Sequence, residues 1–202
     1  MDTITAIQQR RSIKQFDPSH VMPYEQQREL LSLSLLSPTS FNIQHWRLLV
    51  ISDPQLRSDV QDAAWGQEQV TQASLLVLLC ADIQAWRNKP DRYWRNAPPQ
   101  TQKLLLTTLD NFYAGREQLQ RDEALRSVGI ASQSLMLAAT AMGYGSSPMV
   151  GFDYDKIAEL INLPEEHLIG MMLAIGKPAV DAKPRGGQLP YNEFVLENRF
   201  VS

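Results

Sequence analysis

The chain predicts an α+β or α/β fold, and three observations carry that prediction. Three short runs have strand character: residues 46–52 (WRLLVIS), 75–81 (LLVLLCA) and 168–175 (LIGMMLAI). The segments between them show helical periodicity, bounded by capping residues and prolines. No internal repeat, low-complexity stretch or long linker divides the sequence, so residues 1–202 are expected to form one domain.

The elements follow in order. Residues 3–9 form a short helix behind Asp2 or Thr3 as N-cap. A second helix runs from Pro23 to about Leu36, with Pro in its first turn and Leu30, Leu31 and Leu33 to Leu36 facing inward. It stops at Ser37-Pro38-Thr39-Ser40, because a proline pushes the preceding residue out of helical geometry. After the first strand, a helix spans Pro54 to about Trp65. The almost unbroken apolar run 75–81 belongs in the middle of a sheet with both faces covered. Residues 83–97 hold Trp86, Tyr93, Trp94, Arg87, Arg92 and Arg95, and read either as a mobile flap or as a partly packed loop.

Helical pattern resumes over about 99–119, with Leu105, Leu109 and Phe112 on one stripe. Residues 122–142 are apolar or small on nearly every side, which predicts burial on most sides and a second subunit over the remainder. Asp153 caps a helix reaching about Leu163, and the third strand follows. The tail from residue 179 contains Gly186, Gly187 and Pro190, then Phe194, Val195, Leu196, Phe200 and Val201. Such an arm packs on something, and a partner protomer is one candidate.

Composition narrows the function classes. With 44% hydrophobic and 20% charged residues, the chain is of ordinary globular type. Its formal net charge of -3 argues against nucleic acid as the main partner, which would want a broad basic face. Cys80 is the single cysteine, so an intramolecular disulfide is impossible and no thiolate cluster exists. Within its apolar run it is expected as a buried thiol. His20, His45 and His167 lack ligand spacing, and no serine has a GxSxG setting, so no metal centre or hydrolase triad is expected. The first residues lack signal-peptide character, and no stretch approaches the ~18 apolar residues of a membrane span. A cytoplasmic protein without a membrane partner is the expectation.

Five segments are candidates for chemistry. Arg10-Arg11-Ser12-Ile13-Lys14 and Lys183-Pro184-Arg185 supply five cations and a hydroxyl, the donors that a dianionic phosphate monoester needs. Alone, each cluster also reads as a solvated surface run. Pro38, Thr39, Ser40 and Asn42 lie between a helix and a strand, either closing local backbone groups or lying against a flat, polar-edged ligand. Gln67 follows Gly66 and reads either as the polar group selected from its segment for a ligand or as a solvated glutamine at a helix start. In 143–153 (GYGSSPMVGFD), Gly143 reads as a helix C-cap and Pro148 as a turn residue, while backbone N–H groups near Val150 and Gly151, with Pro148 and Met149 beside them, offer close approach to a planar ring.

Taken together, RRSIKQFD (10–17), SPTSFNIQHW (37–46), AAWGQ (63–67), GYGSSPMVGFD (143–153), IGKP (175–178) and KPRG (183–186) resemble the nitroreductase family of FMN-dependent NAD(P)H oxidoreductases. The motifs fall in the family's order and span nearly the whole chain. The likeness is to a small-enzyme subgroup linked to quinone and nitro-compound reduction.

The resemblance implies a three-layer α/β/α sandwich with a mixed central sheet, in a homodimer that exchanges its C-terminal arms. It implies FMN as cofactor, with NADH or NADPH as donor and a small-molecule acceptor. Arg10, Lys183 and Arg185 would hold the phosphate, with Arg11 and Ser12 alongside. Lys14 would sit by the N1–C2 carbonyl edge and Gln67 by the pyrimidine edge. The backbone at Val150 and Gly151 would face N5, and Pro38, Thr39, Ser40 and Asn42 would come from the other subunit. Some relatives carry a glutamate at the Val150 position and a lysine near Val70, both absent here. No side chain is implied as a covalent catalyst, since the cofactor carries the chemistry. A flavin reductase, a reductive dehalogenase and a flavin-sequestering module are the alternatives.

Overall fold

The computed structural model describes residues 1–200; Val201, counted above among the apolar residues of the tail, lies outside them. Four strands, β1 (Trp46–Val50), β2 (Leu75–Asp82), β3 (Gly145–Met149) and β4 (His167–Gly176), form one sheet in the order β1-β2-β4-β3. Helices α1 (Thr3–Gln9), α2 (Tyr24–Ser34), α3 (Pro54–Ala63), α4 (Gln69–Gln72), α5 (Pro99–Tyr113), α6 (Glu117–Ala141), α7 (Tyr154–Leu160) and α8 (Tyr191–Phe194) surround or flank it.

Alternation along β2 builds the three layers. Leu76, Leu78 and Cys80 face Val60 and Ala63 of α3, Val70 of α4 and Ile157 of α7 in one core. Leu75, Val77, Leu79 and Ala81 face Leu30 of α2 and Ala124, Val128, Ala131 and Leu135 of α6 in the other. Side chains two apart share a face of a strand, so the seven apolar residues 75–81 of this eight-residue strand fill both cores at once. β2 is central and fully buried, as its composition predicts.

The sheet corrects the expectation of mixed pairing. β1–β2, β2–β4 and β3–β4 are all antiparallel, and the only parallel pairing among the described residues is an isolated bridge between Ser12 and Ser146. The segment after Arg11 gives the sheet edge one residue before it turns along residues 177–179, too little to make a parallel strand. β3 itself is a strand where the sequence suggested a loop. Its Pro148 has no N–H to donate, and an edge position tolerates that.

The helices differ from expectation in two places. In α2, Leu30 and Ser34 are buried at i and i+4, whereas Leu33, Leu35 and Leu36 are exposed. An α-helix cannot turn four leucines in six residues to one side. The expected helix over 99–119 ends at Tyr113, and α6 begins at Glu117, five residues before Asp122. Gly115, at φ +69°, makes the break. Elsewhere the caps stand as read: Asp2 accepts from Thr5 N at 3.0 Å, Asp153 accepts from Lys156 N at 3.0 Å, and Gly143 (φ +79°) ends α6.

Residues 83–97 are packed rather than free. Ala85, Trp86 and Tyr93 form a satellite core with Ile43, Leu109 and Tyr113, and Phe112 of the predicted stripe lies partly outside it. Close packing of α6 on the sheet depends on Gly170, which faces the register shift between Leu79 and Cys80. A Cβ there would lie 2.5 Å from Val128 Cγ1.

Candidate functional site

The two ends of the chain are joined by a short backbone ladder. Ile13 N donates to Ser146 O (2.9 Å), Asp17 N to Lys177 O (2.9 Å) and Ala179 N to Gln15 O (3.0 Å), while Phe16 pairs with Pro178. Phe16 N also donates to Gln72 Oε1 at 3.2 Å, tying the ladder to α4. Gly145 makes room for it: a Cβ there would lie 2.5 Å from Ile13 Cγ1. The residues after Arg11 and those after Lys177 therefore run side by side.

Beyond this ladder opens a cavity of about 720 Å³ lined by Arg10, Arg11, Ser12, Lys14, Lys183 and Arg185, with Glu68, Gln69 and Asp181 also in its lining. Five cations thus share one lining with two carboxylates. Arg185 Nη2 reaches the main-chain oxygens of Gln8 (3.2 Å) and Arg10 (3.1 Å), so the arginine is held at the C-terminal end of α1. Arg11 Nη1 donates to Gln8 O at 2.8 Å. None of the three ion pairs among the described residues involves any of the five. Arg10 Nη1 is buried with no hydrogen-bond partner. Burial, followed by the like charges of Arg185 and Arg11, lowers the Arg10 pKa from its ordinary value. A buried cationic donor beside two more cations favours an anion at this point.

Gln67 lies one step away. Its Nε2 donates to Gly151 O (2.8 Å), and its Oε1 accepts from Gln69 Nε2 (3.0 Å), with Gln69 on the cavity wall. This leaves the Gln67 amide one N–H and one oxygen lone pair for a ligand. Val150 is exposed and Gly151 lies against the Trp65 ring, close enough that a Cβ would meet it at 3.2 Å. Pro148 and Met149 belong to β3, and the Met149 side chain is buried in the core, so only its backbone can serve a ligand.

Pro38, Thr39, Ser40 and Asn42 do not line this cavity within one chain. Thr39 Oγ1 and Ser127 Oγ lie 2.9 Å apart, and both contact His45 Nδ1, at 3.3 and 3.1 Å. Ser40 Oγ accepts from Tyr113 OH (2.9 Å), and Asn42 Nδ2 donates to Tyr93 O (2.8 Å). Burial, which outweighs the pull of Asp82, lowers the His45 pKa to about 4 and keeps the ring neutral. Burial also raises the Cys80 thiol to about 11, which makes it a poor nucleophile.

Glu68 and Gln69 line the cavity as well, although sequence reasoning alone does not single them out. Their only signal is adjacency to Gln67. No helix among the described residues is long and apolar enough to cross a membrane.

Comparison with known proteins gives the family. A family profile described as "Nitroreductase family" matches residues 7–177. Protein DrgA of Synechocystis sp. is 54% identical over 182 residues, covering 90% of this chain and 87% of its own. A Thermus thermophilus protein named NADH dehydrogenase is 30% identical over 198 residues, covering 97% of this chain and 96% of its own. A crystal structure from Exiguobacterium sibiricum, solved in complex with FMN, superposes with a TM-score of 0.88 at 28% identity and 96% coverage of both chains. With the ladder between its two ends and a match that spans most of its length, the chain belongs to the nitroreductase family.

Proposed function

We propose that the protein is an FMN-dependent NAD(P)H oxidoreductase that reduces nitroaromatics or quinones in a ping-pong cycle, the donor leaving before the acceptor enters. The observation that carries this reading is the cationic cavity with the unpartnered Arg10 Nη1 at its wall. The FMN complex of the Exiguobacterium relative and the name of the Thermus relative support the cofactor and the donor.

The residues present fit FMN. Arg10, Arg11, Ser12, Lys183 and Arg185 would hold the phosphate, the arginines as planar donors and Lys183 as a point charge. Lys14, in the same lining, would bring positive charge toward the ring's carbonyl edge. Gln67, fixed by Gly151 and Gln69, would offer its free N–H and lone pair to the pyrimidine edge. The backbone at Val150 and Gly151 would line the face where hydride arrives, with no bulky side chain on Gly151 to intervene. When bound, FMN supplies two-electron hydride chemistry that no side chain here could provide.

The working unit in this reading is a homodimer, in which Pro38, Thr39, Ser40 and Asn42 of one subunit complete the cleft of the other and the C-terminal arms are exchanged. Its support is the uncovered apolar surface of one chain, including Leu36, Ile130 and Phe194.

Absorption spectroscopy of the purified protein, followed by anaerobic titration with NADH and NADPH, tests the function. A yellow protein that bleaches on adding donor and recovers with a nitroaromatic or quinone is the expected result. A protein that neither contains nor takes up FMN would refute the proposal, and one that binds FMN without bleaching would be a sequestering module. Light scattering should give the mass of a dimer.

A further inference from the structure

A second cavity, of about 470 Å³, opens where β1 begins, between the residues after Thr39 and the 3₁₀ turn Pro90–Trp94. Its wall carries three guanidiniums (Arg47, Arg92 and Arg95) and the carboxamides of Asn42, Gln44 and Asn96, with no carboxylate among its lining residues. Arg47 is already balanced, since its Nη2 lies 2.7 Å from the buried Asp82. Arg92 and Arg95 take part in no ion pair among the described residues. The carboxylate nearest in sequence, Asp91, is exposed and off the wall.

The wall is braced rather than loose. Arg92 Nη2 donates to Tyr93 OH at 2.8 Å, with its guanidinium 4.8 Å from the Tyr93 ring centre. Tyr93 is buried, and its OH donates to Ala85 O at 2.9 Å. Asn42 Nδ2 donates to Tyr93 O, latching the loop to the turn. Phe41, Asn42 and Gln44 all have positive φ (48°, 55° and 53°). Three non-glycine residues held in that region within four positions represent stored strain of the kind found around ligand sites.

Two uncompensated guanidiniums among carboxamide donors match a dianionic phosphate monoester in charge and donor chemistry. In nucleotide sites a carboxylate accepts from the ribose 2′-hydroxyl, whereas arginine accommodates a 2′-phosphate. This cavity has the second chemistry without the first. One of its walls is the segment ending at Asn42, which in the functional reading above borders the partner's cleft, where the donor must lie.

We propose, resting on that reading, that the Arg92–Arg95 cavity takes the 2′-phosphate of the nicotinamide donor and makes NADPH the preferred reductant. The FMN-loaded protein and its Arg92→Gln, Arg95→Gln and double variants test this, through kcat/KM for NADPH and NADH with one acceptor and through inhibition by 2′,5′-ADP against 5′-AMP. The wild type should favour NADPH by about tenfold or more, and each substitution should reduce the NADPH:NADH ratio by about tenfold. Inhibition by 2′,5′-ADP should weaken in the double variant, with 5′-AMP poor throughout. Equal use of both donors by the wild type, or an unchanged ratio in the double variant, would overturn the inference while leaving the oxidoreductase reading intact. Failure of both donors to bleach the wild-type flavin would overturn the two together.

Discussion

Arg185 Nη2 sits 3.1 Å from the main-chain oxygen of Arg10, which joins residues 175 positions apart at the rim of the cationic cavity. This hydrogen bond holds one guanidinium still while the other keeps a buried, unpartnered nitrogen. Each should therefore act on anion binding, and Arg185 on the end of α1 as well.

Arg10→Ala and Arg185→Ala should each weaken FMN binding by ~1.5–3 kcal/mol for every charge-assisted hydrogen bond removed. Fluorescence titration of apoprotein with FMN measures this. Unchanged affinity in both variants would contradict the phosphate assignment.

Gln67→Ala removes the donor to Gly151 and the acceptor for Gln69. A stability loss of ~0.5–1.5 kcal/mol should appear in urea denaturation. FMN should also bind more weakly, because the segment carrying Val150 loses its tether. A variant with wild-type midpoint and affinity would show that Gln67 positions nothing.

Gly170→Ala should destabilise the fold by ~1–3 kcal/mol, because the new Cβ would press on Val128 and lie 3.2 Å from the Leu79 carbonyl oxygen. Gly186→Ala serves as the control, since nothing lies within 4 Å of a Cβ there. Equal melting temperatures for the two variants would mean that α6 packs less tightly on the sheet than the structure has it.

His45 predicts a pH effect. Its folded-state pKa, about 4, lies below the ordinary value of 6.5 because burial disfavours the charged ring. Above 6.5 neither state takes the proton and stability is full. As pH falls from 6.5 towards 4 the unfolded chain takes a proton that the native ring refuses, and up to about 3 kcal/mol is lost. Chemical denaturation across this window should show the slope in wild type, and His45→Asn should reduce it. Parallel profiles would place the titration elsewhere.

Much of this was legible in the residues themselves. The run 75–81 announced a central strand because only a position covered on both faces tolerates apolar residues at every step. Asp2, Asp153 and Gly143 marked helix ends through local hydrogen bonding and backbone freedom, which need no distant partner. β3 stayed hidden because Gly145-Ser146-Ser147-Pro148-Met149 shows no apolar alternation, and its strand geometry comes from pairing with β4. The outward turn of Leu33, Leu35 and Leu36 was likewise invisible to composition, since helix rotation is set by what α6 presents to Leu30.

The sequence by itself determined the kinds and order of most elements and the six motifs that carry the family resemblance, because helical and strand periods are properties of neighbouring residues. The tertiary structure alone decided that the Arg10 and Arg185 segments face one cavity and that Pro38 to Asn42 stand apart from it within a chain. It also decided that Arg92 and Arg95 share a wall with Asn42. Such meetings depend on strand order and on the ladder between residues 13–17 and 177–179, and no local window of sequence contains either.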